Sequence, residues 1–314
     1  MKKEIDFIAK RKIFFTISII LIAVSILSSF VFGVDLDIQF KGGTIINYAY
    51  DGDIDVTEFT SKASEALDGI TVNAATGTDF TSNRNSITLS LITKSGLTSE
   101  KQFDLTNTLT EAYADNNLDL ISSSDVSPSA GSEFFKKCLV AVGFASVVLI
   151  IYIAFRFKKI SGWSAGVIAV IALLHDIIVT YGTFVICRME IDANFMAVVL
   201  TILGYSINNT IVIYDRIREN ERLYGKKKSR NEIVNMSINQ SMTRSIHTTV
   251  STLIAMVVIT IVALAERVDS IISFSFPLII GIVSGFYSSV CLAGPLWTWL
   301  NEKIESKKGS VKTA

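Results

Sequence analysis

The chain has 314 residues, 50% of them hydrophobic and only 18% charged, and its mean hydropathy is +0.47. A soluble globular domain carries about 25% charged residues, so composition argues for a chain with long uncharged runs. Its 29 basic and 29 acidic side chains cancel, which leaves no overall field to attract nucleic acid.

Taken in order, a basic tail with Lys2, Lys3, Lys10, Arg11 and Lys12 precedes an apolar run over 13–32. The run is too long for the core of a signal peptide and ends without a small-x-small cleavage site, so it reads as a retained first span. Residues 33–132 are polar and patterned like a folded domain. A strand is expected over 38–50. Asp55-x-x-Glu58 resembles a capping box and opens a helix with Val56, Phe59, Ala63, Ala66 and Leu67 at helical spacing. A second strand is expected over 70–75. A third covers 86–92, where Ile87, Leu89 and Leu91 alternate onto one face. Ser99-x-x-Gln102 opens another helix, carrying Leu105, Leu109, Ala112 and Tyr113, and a last strand is expected over 119–126. The order β-α-β-β-α-β is that of the ferredoxin-like, split βαβ motif.

Five more apolar runs follow, over 134–155, 163–186, 193–214, 245–265 and 271–300. The fold class is therefore an α-helical membrane protein with six transmembrane helices and an α+β ferredoxin-like extracytoplasmic domain between the first and second. Its parts are 1–32, the tail and first span; 33–132, the outer domain; 133–300, the other five helices; and 301–314, a tail. Basic residues concentrate in the first tail, in 156–159, in 215–244 and after 301, which puts both termini in the cytoplasm. Lys136 and Lys137 fall on the outer side and are expected to snorkel to the headgroups. Cys138, Cys187 and Cys291 lie in or beside apolar runs and imply no disulfide framework.

Polar side chains inside these runs are the candidates for function. His175 and Asp176 sit within the third, where a carboxylate costs about 2.5–3.5 kcal/mol on insertion scales and is either paired or functional. The fourth contains Thr201, Tyr205, Ser206, Asn208, Asn209 and Thr210. Thr201, Tyr205, Asn208 and Asn209 share a helical stripe that must face protein or water. The segment 215–244 reads as a basic, amphipathic cytoplasmic loop lying against anionic lipid. Arg244, Thr248, Ser251, Thr252 and Ala255 share a face at the start of the fifth run, with His247 beside them. Pro277, Gly281, Gly285 and Ser289 give the last run small-x-x-x-small spacing for close helix approach. Pro277 and Pro295 are positions for a kink or an end. Gly42 and Gly43 permit close backbone approach. A phosphate loop would need a lysine-serine ending and a following helix. The polar domain holds no nucleophile with a base, no zinc spacing and no paired catalytic carboxylates, so neither an enzyme nor a metal site is expected.

The stretch Gly204-Tyr-Ser-Ile-Asn-Asn-Thr-Ile-Val-Ile-Tyr-Asp-Arg-Ile-Arg-Glu-Asn220 resembles the SecF family, whose pattern is roughly G-Y-S-I-N-D-T-V-V-V-F-D-R-I-R-E-N. Asp215, Arg216, Arg218, Glu219 and Asn220 match its exit motif. The family's Asp is Asn209 here. Phe40, Gly42, Gly43 and Thr44 match G-x-D-F-x-G-G-T, although Asp37 and Gln39 replace its first Gly and its Asp. His175-Asp176 and the entry Asn239-Gln-x-x-x-Arg244 also match, and they favour Arg244 as a cation facing the polar stripe.

The resemblance implies a six-span half of RND-superfamily type in the bacterial inner membrane, multi-pass and surrounded by lipid. It would pair with SecD, adjoin the SecYEG channel, with YajC or YidC as further neighbours, and act on a translocating preprotein. No cofactor is implied. The drive would be an ion gradient, of protons or sodium. Because an amide does not titrate, three couplings stay open. Protonation falls to Asp176, His175 or His247; or the carboxylate lies in SecD, with Asn209 and Arg244 around it; or Asn209, Asn208 and Thr201 offer oxygens to sodium. The competing functions are half of a lipid or small-molecule exporter and an uncoupled scaffold for SecD.

Overall fold

A computed structural model of the chain describes residues 5–37, 40, 42–79, 84–91, 97–126, 128–266 and 268–311. Lys2, Lys3, Ile38, Gln39, Ile92, Arg267 and the last three residues of the tail, to which the sequence reading assigned places, lie outside the described residues.

The first helix, α1 (Arg11–Phe32), inverts the pattern of a soluble helix. Ile19, Leu27 and Phe30 are exposed, and its buried residues are Ser18, Ser25 and Ser28. Lipid makes burial of leucine unrewarding between membrane helices, so small residues form the contact. A small unit follows: β1 (Gly43–Tyr50), α2 (Val56–Ala66), β2 (Val72–Asp79), β3 (Arg84–Leu91), α3 (Ser99–Ala112) and β4 (Asp119–Val126). Its antiparallel sheet has the order β2-β3-β1-β4, with Ile46 opposite Leu89 and Tyr48 opposite Ile87. These side chains and Leu91 bury one face under Phe59, Ala63, Leu67, Leu105 and Leu109. Asp55 caps α2 by accepting from the amides of Thr57 and Glu58. α3 begins one residue earlier than Ser99 as a cap implies, because the Thr98 hydroxyl accepts from the Lys101 amide. Ala66 and Ala112 are exposed instead of joining the core.

The remaining helices are α4 (Pro128–Arg156), α5 (Gly162–Ile186), α6 (Ala193–Tyr224), α7 (Arg230–Ala265), α8 (Asp269–Tyr287) and α9 (Gly294–Val311), with a π-helical turn at Ser288–Ala293 joining the last two. Among the described residues six helices, counting Asp269–Ile304 as one, are long and apolar enough to cross a membrane. Pro277 lies inside α8 without ending it.

The expected loop over 215–244 is not a loop. α6 runs on to Tyr224, and α7 starts at Arg230 behind a capping box formed by Ser229 and Glu232. Hydropathy marks where a helix leaves the lipid, not where it ends, and Arg, Glu and Lys are good helix formers. The extension is held by Arg216 to Gln240 (2.6 Å) and by the buried pair Asn220 to Ser237 (2.8 Å). At 32 residues α6 is about 48 Å long, beyond the ~30 Å of a bilayer core. It starts beside the sheet and ends in this hairpin, so the two lie at opposite ends of the bundle.

Glycines set the helix spacing. A Cβ at Gly182 would lie 2.2 Å from the Ser25 hydroxyl, and one at Gly281 would lie 2.1 Å from Cδ1 of Ile202. Gly204 has nothing within 4 Å. Gly281→Leu is expected to cost at least about 1–3 kcal/mol by overpacking and to lower the melting temperature of the purified chain in detergent, whereas Gly204→Leu leaves it unchanged. Equal melting curves would refute tight packing of α8 on α6.

Candidate functional site

The buried face of α5 repeats small residues, Ala165, Ala169 and Ala172, then reaches Asp176 and Thr180. That narrow face lets α6 and α8 close over Asp176, whose side chain is 0% exposed. Its carboxylate collects four partners from three helices. Oδ2 accepts from Ser206 on α6 and from Ser288, each at 2.7 Å. Oδ1 accepts from Ser284 on α8 at 2.7 Å and lies 3.1 Å from Nδ1 of His175. When the carboxylate is ionised it only accepts, and Nδ1 then carries the hydrogen of that bond. Burying such a charge costs several kcal/mol, and hydrogen bonds to a charged group return about 1.5–3 kcal/mol each.

Ser284 and Ser288 stand one helical turn apart, and Ser288 opens the π turn, a feature frequent at functional sites. Gly285 lets this face approach, since a Cβ there would lie 2.9 Å from Cβ of Ser206. A second tier surrounds the first. The Ser289 hydroxyl donates to the Ser206 carbonyl (3.2 Å) and bonds Thr210 (2.9 Å). Thr180 donates to the Asp176 carbonyl rather than to its carboxylate. Nε2 of His175 and Nδ2 of Asn209 are buried and have no hydrogen-bond partner among the described residues. The His175 ring lies 6.0 Å from that of Tyr287, whose hydroxyl donates to the Phe14 carbonyl (2.7 Å) and contacts Ser18 on α1 (3.2 Å).

The site thus brings together His175, Asp176 and Thr180, with Asn209 buried nearby in the sequence of α6. It does not bring in the rest of the expected network. Thr201 and Asn208 are exposed, and the Thr201 hydroxyl turns back to the Ala197 carbonyl. Only Asn209 of the presumed stripe is buried, because one residue rotates a helix by about 100°. The oxygens of Thr201, Asn208 and Asn209 therefore do not converge on a cation. Tyr205 reaches across to Thr249 (3.1 Å). Arg244 and His247 are exposed and Thr248 is half-buried. α7 packs instead through Ser245, Thr249 and Met256. Ser284 and Ser288 were missed by the sequence reading. Their signal was a fourth-residue serine repeat beside the glycine face.

The other motifs are structural. Asp215 bonds Arg218 (2.6 Å) and Arg156 (3.2 Å), and Arg216 bonds Glu219 (2.6 Å), so this set braces the hairpin. Asn239 clasps the amide and carbonyl of Ile5. Thr44 donates to Asp125 (2.5 Å) and accepts from the Leu97 amide, and Phe40 packs edge-on against Phe135. Among the described residues no three His, Cys, Asp or Glu side chains stand close enough to share a metal ion.

Where the sheet meets the bundle, Asn73 donates to Glu190 (2.7 Å) and Thr76 to Asp269 (3.3 Å), beside an open cleft of ≈ 800 Å³. Burial, with the Asp37, Asp192 and Asp35 charges adding to it, raises the Glu190 carboxyl above the usual range, and burial does the same to Asp192.

Two outcomes follow from this geometry. Ser206→Ala, Ser284→Ala and Ser288→Ala are each expected to cost about 1.5–3 kcal/mol in denaturant or thermal unfolding of the purified chain, with Asn208→Leu near zero. At the junction, a raised carboxyl stabilises fully below its unfolded value and loses that stability as pH rises through the folded one. Wild type should therefore lose stability on going from acid to neutral pH relative to Glu190→Gln, which keeps an acceptor for Asn73. Parallel pH–melting curves would contradict the assignment.

Comparison with known proteins bears on what this site serves. Residues 105–303 match the family described as "Protein export membrane protein SecD/SecF, C-terminal". The chain is 33% identical over 304 residues to "Protein translocase subunit SecF" of Acidaminococcus fermentans, covering 96% of this chain and 99% of that one. It is 35% identical to the subunit of the same name from Petrotoga mobilis, covering 93% and 95%. Among solved structures it is similar to SecDF of Thermus thermophilus, described as a translocon-associated membrane protein, with TM-score 0.76 and 25% identity over 96% of this chain and 39% of that one. A super-membrane-facing form of SecDF gives TM-score 0.69 and covers 99% and 40%. The chain thus spans about two fifths of these longer SecDF chains.

Proposed function

Because the chain belongs to the SecF family of protein-export membrane proteins, we propose that it is the half of a SecD–SecF pair that supplies a buried charge to an ion-driven assist of export. Membership makes it a multi-pass membrane subunit of the Sec translocation machinery. Beyond that, we read the sheet unit as a ferredoxin-like domain outside the cell membrane, with both termini and the α6–α7 hairpin in the cytoplasm. The proposed substrate is an unfolded preprotein leaving the SecYEG channel, with YajC or YidC as neighbours, and the role is one of transport rather than catalysis.

One observation carries the pairing. Asn208, Arg244 and His247 present polar side chains on the outer surface of α6 and α7. The register set by Tyr205–Thr249 and Arg216–Gln240 puts Asn208 at the height of His247. Lipid cannot satisfy such groups, so a surface of this kind is covered by another protein. SecD is the partner that fits, since SecDF of Thermus thermophilus joins the two names in one protein. In this reading the carboxylate missing at Asn209 is replaced across the interface or by Asp176.

The test is cysteine crosslinking in membranes. Asn208→Cys and Thr201→Cys are expected to crosslink to SecD, while Leu139→Cys on the outer face of α4 is not. Loss of the chain should slow secretion and leave lipid and drug efflux intact. Crosslinking to lipid probes alone, with secretion unchanged, would remove the proposal.

A further inference from the structure

Resting on the ion-coupled reading above, we propose that Asp176 is the group in this chain that takes up and releases the coupling proton, with His175 as its relay and the three serines as the device that reads its charge. Asp176 is the one carboxylate buried within the spans among the described residues. Its only ion-pair contact there is His175. A buried carboxylate kept for structure alone is ordinarily held by Arg or Lys. This one is held by hydroxyls from α6 and α8, and from those helices only neutral side chains face it. Tyr287 stands beyond His175, with Cys291 close to Tyr287.

Hydroxyls suit a proton site because they donate or accept as required. In the ionised form Ser206, Ser284 and Ser288 all donate to Asp176. Once Oδ1 takes the proton it donates back to the bare Nδ1 of His175, while Oδ2 stays an acceptor for Ser206 and Ser288. The Ser288 hydrogen has a second acceptor within reach, the Gly285 carbonyl at 3.3 Å. No charge is stranded in either state. A sodium ion fits less well, since both carboxylate oxygens already hold two donors each at 2.7–3.1 Å, and the ion would have to displace one.

The unpartnered Nε2 of His175 completes the path. A proton binds at Nε2, the Nδ1 proton passes to Asp176 Oδ1, and the ring is left as its other tautomer with no net change of charge. Release runs in reverse. Neutralising Asp176 turns its charge-assisted hydrogen bonds to α6 and α8 into weaker neutral ones, so proton uptake loosens both helices against α5. α6 begins beside the sheet and α8 carries Asp269, which bonds Thr76 of β2. Loosening is thereby felt at the sheet junction.

The experiment is labelling of the SecD-bound chain in proteoliposomes with dicyclohexylcarbodiimide, which reacts with protonated buried carboxyls, read by mass spectrometry. Asp176 is expected to label at least about ten-fold faster in acid than in alkaline buffer, unaffected by sodium. His175→Gln should slow the labelling, and Asp176→Asn should abolish both the label and the dependence of export on a proton gradient. Absence of label on wild-type Asp176 at every pH would overturn the proposal whatever the variants do. So would protection by sodium, or gradient-dependent export by Asp176→Asn. Failure of wild type to crosslink to SecD would instead count against the pairing itself, which the labelling does not test.

Discussion

A carboxylate with no counter-charge, held in a medium that solvates nothing, is the constraint around which the membrane part of this chain is arranged. Asp176 needs four hydrogen-bond donors, and α5 supplies only His175. The others come from Ser206 on α6, Ser284 on α8 and Ser288 at the π turn. Three helices are consequently held in one register by one charge. In water such a cluster would be worth little, because the solvent competes for every donor. Inside an apolar slab an unmet donor or acceptor has no alternative partner.

Close approach makes that arrangement possible. Hydrogen bonds of 2.7 Å between side chains as short as serine require the backbones to lie near one another. The residues beside the site are accordingly glycine, alanine and serine. Gly281 accommodates Ile202, Gly285 accommodates Ser206, and Gly182 accommodates Ser25 of α1. Leucine and isoleucine are turned outward on α1 and α7, where they cost nothing in lipid. The bundle is thus an inversion of a soluble core, with polarity and small size inside and bulk outside.

The two ends of the bundle are built differently. At one end α6 and α7 continue as a braced hairpin, tied by Arg216–Gln240, Asn220–Ser237 and Asp215–Arg156. At the other, the sheet touches the bundle through Asn73–Glu190 and Thr76–Asp269 beside an open cleft. The hairpin is braced by side-chain bonds within the bundle, while the sheet meets it beside open space.

The amino-acid pattern by itself determined the six apolar helices, the presence and order of the strands and helices of the sheet unit, and the presence of a charge at His175-Asp176. Each of these depends on local composition or on short periodicity, which a single chain segment carries. Strand ends moved by a few residues, as with β2 at Val72–Asp79 in place of 70–75, since pairing with β3 and not propensity decides where a strand stops. The continuation of α6 through Tyr224 was hidden because hydropathy reports the lipid boundary and not the helix. Only the tertiary structure decided which polar residues meet. Asn208 and Asn209 are neighbours in sequence, yet one is exposed and the other buried. Ser284 and Ser288, more than a hundred residues from Asp176, complete its shell. Which face of a helix is inward is set by the helices packed against it, and that information lies in no single segment.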